Sequence, residues 1–129
     1  MRVGMLLFEI HFNSSTHYVN VVLHNSASAM RREGTRKGHK TAKQSDAFCW
    51  QAHLPAVDGC VAEIHLAKDL LDIDVIAHEC CHAAFHRAKL CGVPPEEFEE
   101  RVATDTGILA DAIVSKFSEK GVDIKVSGC

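Results

Sequence analysis

The stretch Ile76-Ala77-His78-Glu79-Cys80-Cys81-His82-Ala83-Ala84 contains the pattern H-E-x-x-H, and the fold of the chain is best understood from it. On an α-helix, residues i and i+4 lie one turn apart on the same face, so the imidazoles of His78 and His82 can converge on one metal ion. Two imidazoles suit zinc, and Glu79 projects about 100° around the helix from His78. A carboxylate at that position can accept a proton from water that the ion activates. The motif therefore predicts a zinc ion on His78 and His82, with Glu79 as general base.

The residues around the motif predict that it lies on a buried helix with defined ends. Asp72 or Asp74 can cap the start, and Gly92, followed by Pro94 and Pro95, ends the helix. The two residues inside the motif and both of its flanks are uncharged, as a motif buried beneath a metal requires. A coincidental pair of core histidines is the alternative. The apolar positions that favour the helix are Leu70, Leu71, Ile73, Val75, Ile76, Ala77, Ala83, Ala84 and Phe85.

The segment from Val75 to Ala84 resembles the signature of the zincin metallopeptidases. The preceding segment, Ala62 to Asp69, is similar to the strand before the active helix in small bacterial and phage-type members of that family. The resemblance covers roughly residues 60 to 114 and is strongest at the H-E-x-x-H motif. It implies a metallopeptidase with one Zn²⁺ ion and a peptide or protein substrate. It also implies that residues 61 to 66 form an edge strand along which an extended substrate lies.

A catalytic zinc site normally has three protein ligands and one open position. His86 continues the i, i+4 series, but it lies about 12 Å along the helix axis from His78, too far to share an ion held at about 2 Å. The longer H-E-x-x-H-x-x-G-x-x-H pattern needs a helix-breaking glycine where this chain has Phe85. We therefore expect His86 to lie at the surface or to contact a ligand rather than to be one.

The acidic start of the next predicted helix is the better source of the third ligand. In the glutamate-ligand branch of the zincins, this ligand belongs to a pattern similar to Glu100-Arg101-Val102-Ala103-Thr104-Asp105, and the resemblance assigns it to Glu100. A helical wheel points instead to Glu99, at the centre of an apolar stripe where an unpaired carboxylate is costly. Glu100 is preferred, and Glu99 stays open. Asp105 is expected to accept a hydrogen bond from a ligand imidazole.

The predicted chemistry follows from these parts. Zinc on the two histidines and Glu100 would lower the pKa of a bound water and polarise the scissile carbonyl. Glu79 would accept the water proton and deliver it to the leaving amine. One further donor is needed to stabilise the oxyanion. The candidates that the sequence leaves open are Tyr18, His65 and His86.

Two other classes of function remain open. The first is a catalytically silent zinc-binding module with the zincin fold, which acts as a regulator or binds a partner. An intact Glu79 argues against it, because a structural metal site needs no base. The second makes Cys80 or Cys81 a nucleophile paired with a histidine, although adjacent cysteines on a helix are usually packing residues.

The chain of 129 residues is expected to form one domain, residues 1–129. Its first residues resemble the start of a signal peptide, but Glu9 and His11 interrupt the apolar run and no cleavage site follows. No segment is long enough to span a membrane. Six cysteines without C-x-x-C spacing favour free thiols, so we expect a cytoplasmic protein.

Charge is unevenly distributed along the chain, although the formal net charge is only −3. Residues 31–43 are mainly basic, and residues 96–111 are mainly acidic. We predict a basic loop over about residues 31–46. Contact with nucleic acid through basic residues 31–43 is the less favoured alternative, because no aromatic residue lies between Tyr18 and Phe48 to stack on bases.

Hydrophobic periodicity predicts an α+β fold. Alternation over residues 3–12 and 17–24 predicts a β-hairpin. We expect a minimal zincin, in which a small, mostly antiparallel sheet of three to four strands packs on the H-E-x-x-H helix and on a second helix that carries a ligand. The other predicted elements are strands at 47–54 and 60–67, a short helix from Ser26 and a long helix over 95–119.

Overall fold

The computed structural model describes residues 5–12, 16–38, 46–51 and 59–126, and the predicted α+β class is confirmed. In chain order the elements are β1 (Met5–His11), β2 (Tyr18–His24), α1 (Ala27–Arg36), β3 (Phe48–Gln51), β4 (Cys60–Ala67), α2 (Ile73–Leu90) and α3 (Pro95–Glu119), with a short 3-10 turn at Lys68–Leu70.

The four strands form one mixed sheet in the order β1-β2-β4-β3. The predicted hairpin is confirmed, because β1 and β2 are antiparallel with Met5 opposite His24 and His11 opposite Tyr18. β3 is also antiparallel to β4, whereas β2 and β4 run parallel. A parallel pair needs a crossover connection, which here contains α1 and β3. The sheet is therefore mostly antiparallel, as expected, but its central pairing is not.

The expected position of β4 at the edge of the sheet is wrong. β4 lies between β2 and β3, and the edge strands of the described sheet are β1 and β3. Seven of the eight residues of β4 are buried, because helices cover both faces of the sheet. Burial on both faces is typical of an internal strand. The apolar content of β4 therefore indicated its burial but not its place in the sheet.

α2 and α3 cover one face of the sheet, and α1 covers the other. Val19, Val21 and Leu23 share one face of β2, and all three side chains are fully buried on the α2–α3 side. On the α1 side a smaller apolar cluster contains Met30 and Phe48. The largest fully buried apolar residues of the main core outside the strands are Phe12, Leu71, Ile76, Leu109, Ile113 and Phe117.

α2, the helix that carries the motif, begins and ends where the sequence predicts. The side chain of Asp72 accepts a hydrogen bond of 3.0 Å from the backbone N–H of Asp74, which caps the first turn. At the other end Gly92 is left-handed, with φ of 66°, and the N–H of Val93 donates to the Ala88 carbonyl at 3.1 Å. These two caps fix the length of the helix that presents the motif.

α3 also has the predicted bounds, and it extends over 25 residues from Pro95 to Glu119. Its apolar stripe is buried at Leu109, Ile113 and Phe117. No helix in the described part of the chain is long and apolar enough to cross a membrane.

The basic segment is helical over its first part. Ser26 caps α1, since its Oγ accepts a hydrogen bond of 3.1 Å from the N–H of Ala29, and the helix continues to Arg36. The predicted basic loop therefore does not include residues 31–36, and residues 39–45 lie outside the described residues. Of the strand predicted at 47–54, Phe48–Gln51 is confirmed, and its remainder also lies outside them.

A chain of polar side chains lies between the sheet and α1. Lys37 Nζ donates to Glu63 Oε1 at 3.0 Å, and the same oxygen bonds His65 Nε2 at 2.5 Å. His65 Nδ1 lies 2.8 Å from His24 Nε2, and both imidazoles are fully buried. The ring of Phe48 stacks on His65, with ring centroids 4.4 Å apart. The hydrogen bond from His65, supported by Lys37, outweighs burial and lowers the pKa of Glu63 to about 2.

Replacing Glu63 by Gln should remove a contribution to stability that depends on pH. The pKa of Glu63 is lowered from 4.5 to about 2 in the folded chain, so this contribution is present above pH 4.5 and is lost as the pH falls towards 2. We expect Glu63→Gln to lower the free energy of unfolding by on the order of 2 kcal/mol at pH 7, allowing for partial exposure of the carboxylate, and by much less at pH 2. Urea unfolding at the two pH values measures the difference, and an equal loss at both would contradict the role given to Glu63.

Candidate metal centre

His78 and His82 lie on the exposed face of α2, and their rings converge. Their Nε2 atoms are 3.2 Å apart, and their ring centroids are 4.8 Å apart. Two nitrogens held at about 2.1 Å by one tetrahedral zinc ion are about 3.4 Å apart, so the pair fits two ligands of one ion with little movement. Partial burial and the neighbouring His78 lower the pKa of His82, which favours its neutral, ligating form. Without an ion, the same separation allows an N–H···N hydrogen bond between neutral rings.

Glu79 lies beside the pair but on the inner side of the helix. Only 6% of its surface is exposed, and α2 packs against β3. Burial raises the pKa of the Glu79 carboxyl to about 7. The pKa of the Cys49 thiol on β3 is raised by burial and further by the charge of Glu79, so this carboxylate lies near β3. A carboxylate next to the two histidines and shielded from bulk water is suited to accept a proton.

Cys80 and Cys81 lie about 100° apart on α2 and differ in exposure. Cys80 is fully buried, and burial, followed by the charges of Glu79 and Cys81, raises the pKa of its thiol to about 12. Cys81 is exposed and its thiol is free. The thiolate is the reactive form of cysteine, so the burial of Cys80 argues against a nucleophilic role for it.

Among the residues that the structure describes, no third ligand lies beside the histidine pair. Within residues 5–12, 16–38, 46–51 and 59–126, no group of three His, Cys, Asp or Glu side chains is placed to hold a metal ion. Glu100 is exposed on α3. Glu99 is exposed too, and it lines a groove between α2 and α3 together with Cys81 and Phe85. The assignment of the third ligand to Glu100 therefore stays a prediction, with Glu99 still open.

Two of the three residues considered for oxyanion stabilisation lie away from the pair. His65 lies on the α1 side of the sheet, where it bonds Glu63, because alternate residues of β4 face opposite sides. Tyr18 begins β2. The residue before it, His17, accepts a hydrogen bond of 3.3 Å from Arg87 Nε near the C-terminal end of α2, more than two turns from His78 and more than one turn from His82.

His86 is the oxyanion candidate that stays on the motif helix, one turn beyond His82. It is half-buried, and burial, followed by the charges of His82 and Lys89, lowers its pKa. Its Nδ1 is buried and makes no hydrogen bond with the described part of the chain. Because this nitrogen is buried, it is closed to a ligand in the present orientation of the ring.

Asp105 pairs with Arg87 rather than with an imidazole. The two side chains are largely buried and form an ion pair of 2.9 Å that joins α2 to α3. Arg87 Cζ also lies 4.7 Å from the centroid of the Phe12 ring. The expectation that Asp105 orients a ligand histidine is therefore wrong. A sequence signal for the pair exists, since Arg87 falls towards the buried side of α2, where a guanidinium needs a carboxylate partner.

Removing the carboxylate of Asp105 should loosen the contact between α2 and α3. Asp105→Ala leaves the buried guanidinium of Arg87 without its ion-pair partner, which costs about 3 kcal/mol in comparable buried pairs. Asp111→Ala, at an exposed position of the same helix, should change stability by less than about 0.5 kcal/mol. Urea unfolding at pH 7 compares the two variants. Equal losses would show that the buried pair does not stabilise the helix contact.

No protein-family model, no curated protein and no solved structure matches the chain. The resemblance to the zincins therefore depends on the residues of this chain alone, above all on His78, Glu79 and His82. Of these, the structure brings the two histidines together on one face of α2 and turns the glutamate inward.

Proposed function

We propose that this chain is a zinc-dependent metallopeptidase, in which His78, His82 and Glu100 hold the metal and Glu79 is the general base. One observation supports the proposal above the others. The Nε2 atoms of the two histidines converge to 3.2 Å on an exposed face, where an ion can reach both. Histidines that serve only packing have no need to share an exposed face with their nitrogens in contact.

The two imidazoles would bind the ion through Nε2 and fix its position relative to the helix. When bound, zinc supplies the Lewis acidity that makes water nucleophilic at neutral pH and polarises a carbonyl. The side chains of this chain do the rest. His78 and His82 would fix where the ion lies along α2. The helix backbone holds the carboxylate of Glu79 at a fixed position relative to the two imidazoles.

Glu79 would move the proton. Its carboxylate accepts a proton from the attacking water and returns it to the leaving amine when the peptide bond breaks. Its burial supports this role, because a shielded carboxylate exchanges protons with its immediate neighbours rather than with bulk water. His86, which follows His82 by one turn of α2, is our choice for the donor to the developing oxyanion.

β3 is the strand that we propose for contact with an extended peptide substrate. It lies at one edge of the described sheet, and its residue Cys49 is near Glu79. A peptide that adds to such an edge gains backbone hydrogen bonds without a fixed side-chain sequence. The resemblance implies that residues 61 to 66 form the edge strand along which the substrate lies. In our proposal Phe48–Gln51 is that strand. We further propose a cytoplasmic location, since Cys49, Cys80, Cys81 and Cys91 carry free thiols.

A catalytically silent zinc-binding module is the second candidate. The observation that favours it is the lack of a third ligand beside the histidine pair in the described part of the chain. Such a module would bind zinc and a partner protein without turnover.

Replacing Glu79 by Gln should separate metal binding from hydrolysis. The amide cannot accept the water proton, so we expect hydrolysis of a quenched fluorescent peptide library to fall by at least about 100-fold, while zinc content stays at the wild-type level. Glu119→Gln, a matched change at an exposed acid near the end of α3, should leave both unchanged. Zinc content is measured by plasma mass spectrometry, and chelator-treated protein gives the hydrolysis background.

Full activity of Glu79→Gln would contradict the mechanism. Wild-type protein that binds zinc but shows no hydrolysis above the chelated background would favour the silent module.

The identity of the third ligand is tested by two neighbouring truncations. Glu100→Ala should weaken zinc binding by at least about tenfold, because a coordinating carboxylate is lost, whereas Glu99→Ala should change it by less than about threefold. Competition with a fluorescent zinc chelator measures both affinities. The opposite order would move the ligand to Glu99, which lies in the groove between α2 and α3.

A further inference from the structure

A groove between α2 and α3 opens beside the histidine pair. Its volume is about 570 Å³, which is within the range of sites that hold small ligands or side chains. Its apolar and hydroxyl-bearing walls come from Cys81 and Phe85 on α2 and from Phe98, Val102, Ala103 and Thr106 on α3.

The lining of this groove is apolar and offers few hydrogen bonds. Phe85 remains 45% exposed although it packs edge-on against Phe98, with ring centroids 5.1 Å apart. The hydroxyl of Thr106 already donates to the Val102 carbonyl at 2.6 Å. An exposed aromatic ring in a concave apolar surface is typical of a binding site, because burial of that surface against a partner is favourable.

The groove and the proposed metal ligands share one face of α2. His78, Cys81, His82 and Phe85 occupy positions i, i+3, i+4 and i+7, which line one side of a helix. When a peptide bond of the substrate lies at the histidine pair, the neighbouring side chain of the substrate would therefore lie in the groove. Its apolar walls suit a large aliphatic or aromatic side chain.

The start of α3 gives the groove an acidic rim. Glu99 lines the groove itself, and its neighbours on the first turns of α3 are exposed acids without an ion pair in the described part of the chain. Lys89 lies over the Phe85 ring, 5.7 Å from its centroid, on the α2 side of the groove. The rim therefore favours cations in a bound chain. The rim acids are Glu99 and, three residues earlier on the same side of α3, Glu96.

We propose that this groove is a substrate-recognition site for a large apolar side chain flanked by lysine or arginine. This proposal rests on the proposed function, from which it takes a peptide as the substrate. It adds the kind of peptide sequence that the protein prefers. Apolar contact supplies affinity, and the acidic rim supplies preference between peptides of opposite charge.

The test compares one substitution inside the groove with a matched one outside it. Ala103→Lys places a cation in the groove, whereas Thr104→Lys places it on the next residue of α3. Both positions are exposed, and each new lysine would follow a glutamate, Glu99 or Glu100, by four residues. Fluorescein-labelled peptides serve as probes, with a Leu-Phe pair flanked by lysines, the same pair flanked by glutamates, or a Ser-Ser pair flanked by lysines. Fluorescence polarisation is measured with EDTA present, so that no turnover occurs.

We expect the lysine-flanked Leu-Phe peptide to bind at least about tenfold more tightly than either of the other two. Ala103→Lys should weaken this binding at least about tenfold, and Thr104→Lys should leave it within about twofold. Equal binding of the three peptides, no binding of the lysine-flanked Leu-Phe peptide, or equal effects of the two variants would overturn the proposal.

The failure of this proposal is distinguishable from the failure of the proposed function. Selective peptide binding in EDTA without hydrolysis after zinc addition would reject the peptidase and leave the groove as a recognition site. Hydrolysis that Ala103→Lys and Thr104→Lys alter equally would reject the groove and leave the peptidase.

Discussion

The orientation of α2 about its own axis determines which side chains of the candidate site face solvent and which are buried. Ile76, Cys80 and Ala83 are fully buried against the sheet and α3, which fixes the helix in one orientation. At about 100° per residue, that orientation sends His78 and His82 outward together and Glu79 inward. One packing interaction thus sets the histidine pair and the sheltered carboxylate. A turn of α2 by one residue in one direction would place His78 and His82 at the buried positions that Glu79 and Ala83 now occupy.

The sheet separates two polar systems that the sequence does not distinguish. On one side lie α2, the histidine pair and the groove; on the other, His24, His65 and Glu63 are bonded to one another beneath α1. Both systems contain two histidines and a glutamate close together. They differ in exposure, because the first pair is open to solvent and the second is fully buried and hydrogen-bonded. Exposure of its nitrogens makes only the first a candidate for an ion, whereas the second ties α1 to the sheet.

Local signals in the sequence predict where the helices begin and end. The sequence contains no comparable signal for how distant strands and helices are arranged relative to one another. The bounds of α2 and α3 follow from an aspartate cap, a glycine and a proline, each of which acts within a few residues. The parallel pairing of β4 with β2 has no local signature, because a buried strand has the same composition in either pairing. For the same reason the sequence leaves His65 among the candidate active-site residues. It also predicts an imidazole as the partner of Asp105, whereas the structure shows Arg87. The third ligand depends on how α3 lies beside the exposed face of α2, which helical periodicity alone does not fix.

X-ray absorption at the zinc edge of the zinc-loaded protein can identify the side chains that hold the metal. We expect one ion per chain with nitrogen and oxygen neighbours at about 2.0–2.1 Å and the outer-shell scattering of two imidazoles, which should disappear in His78→Ala. A sulfur neighbour at about 2.3 Å would instead indicate that a thiolate such as that of the exposed Cys81 holds the metal. That result, or protein that retains no zinc, would contradict the account.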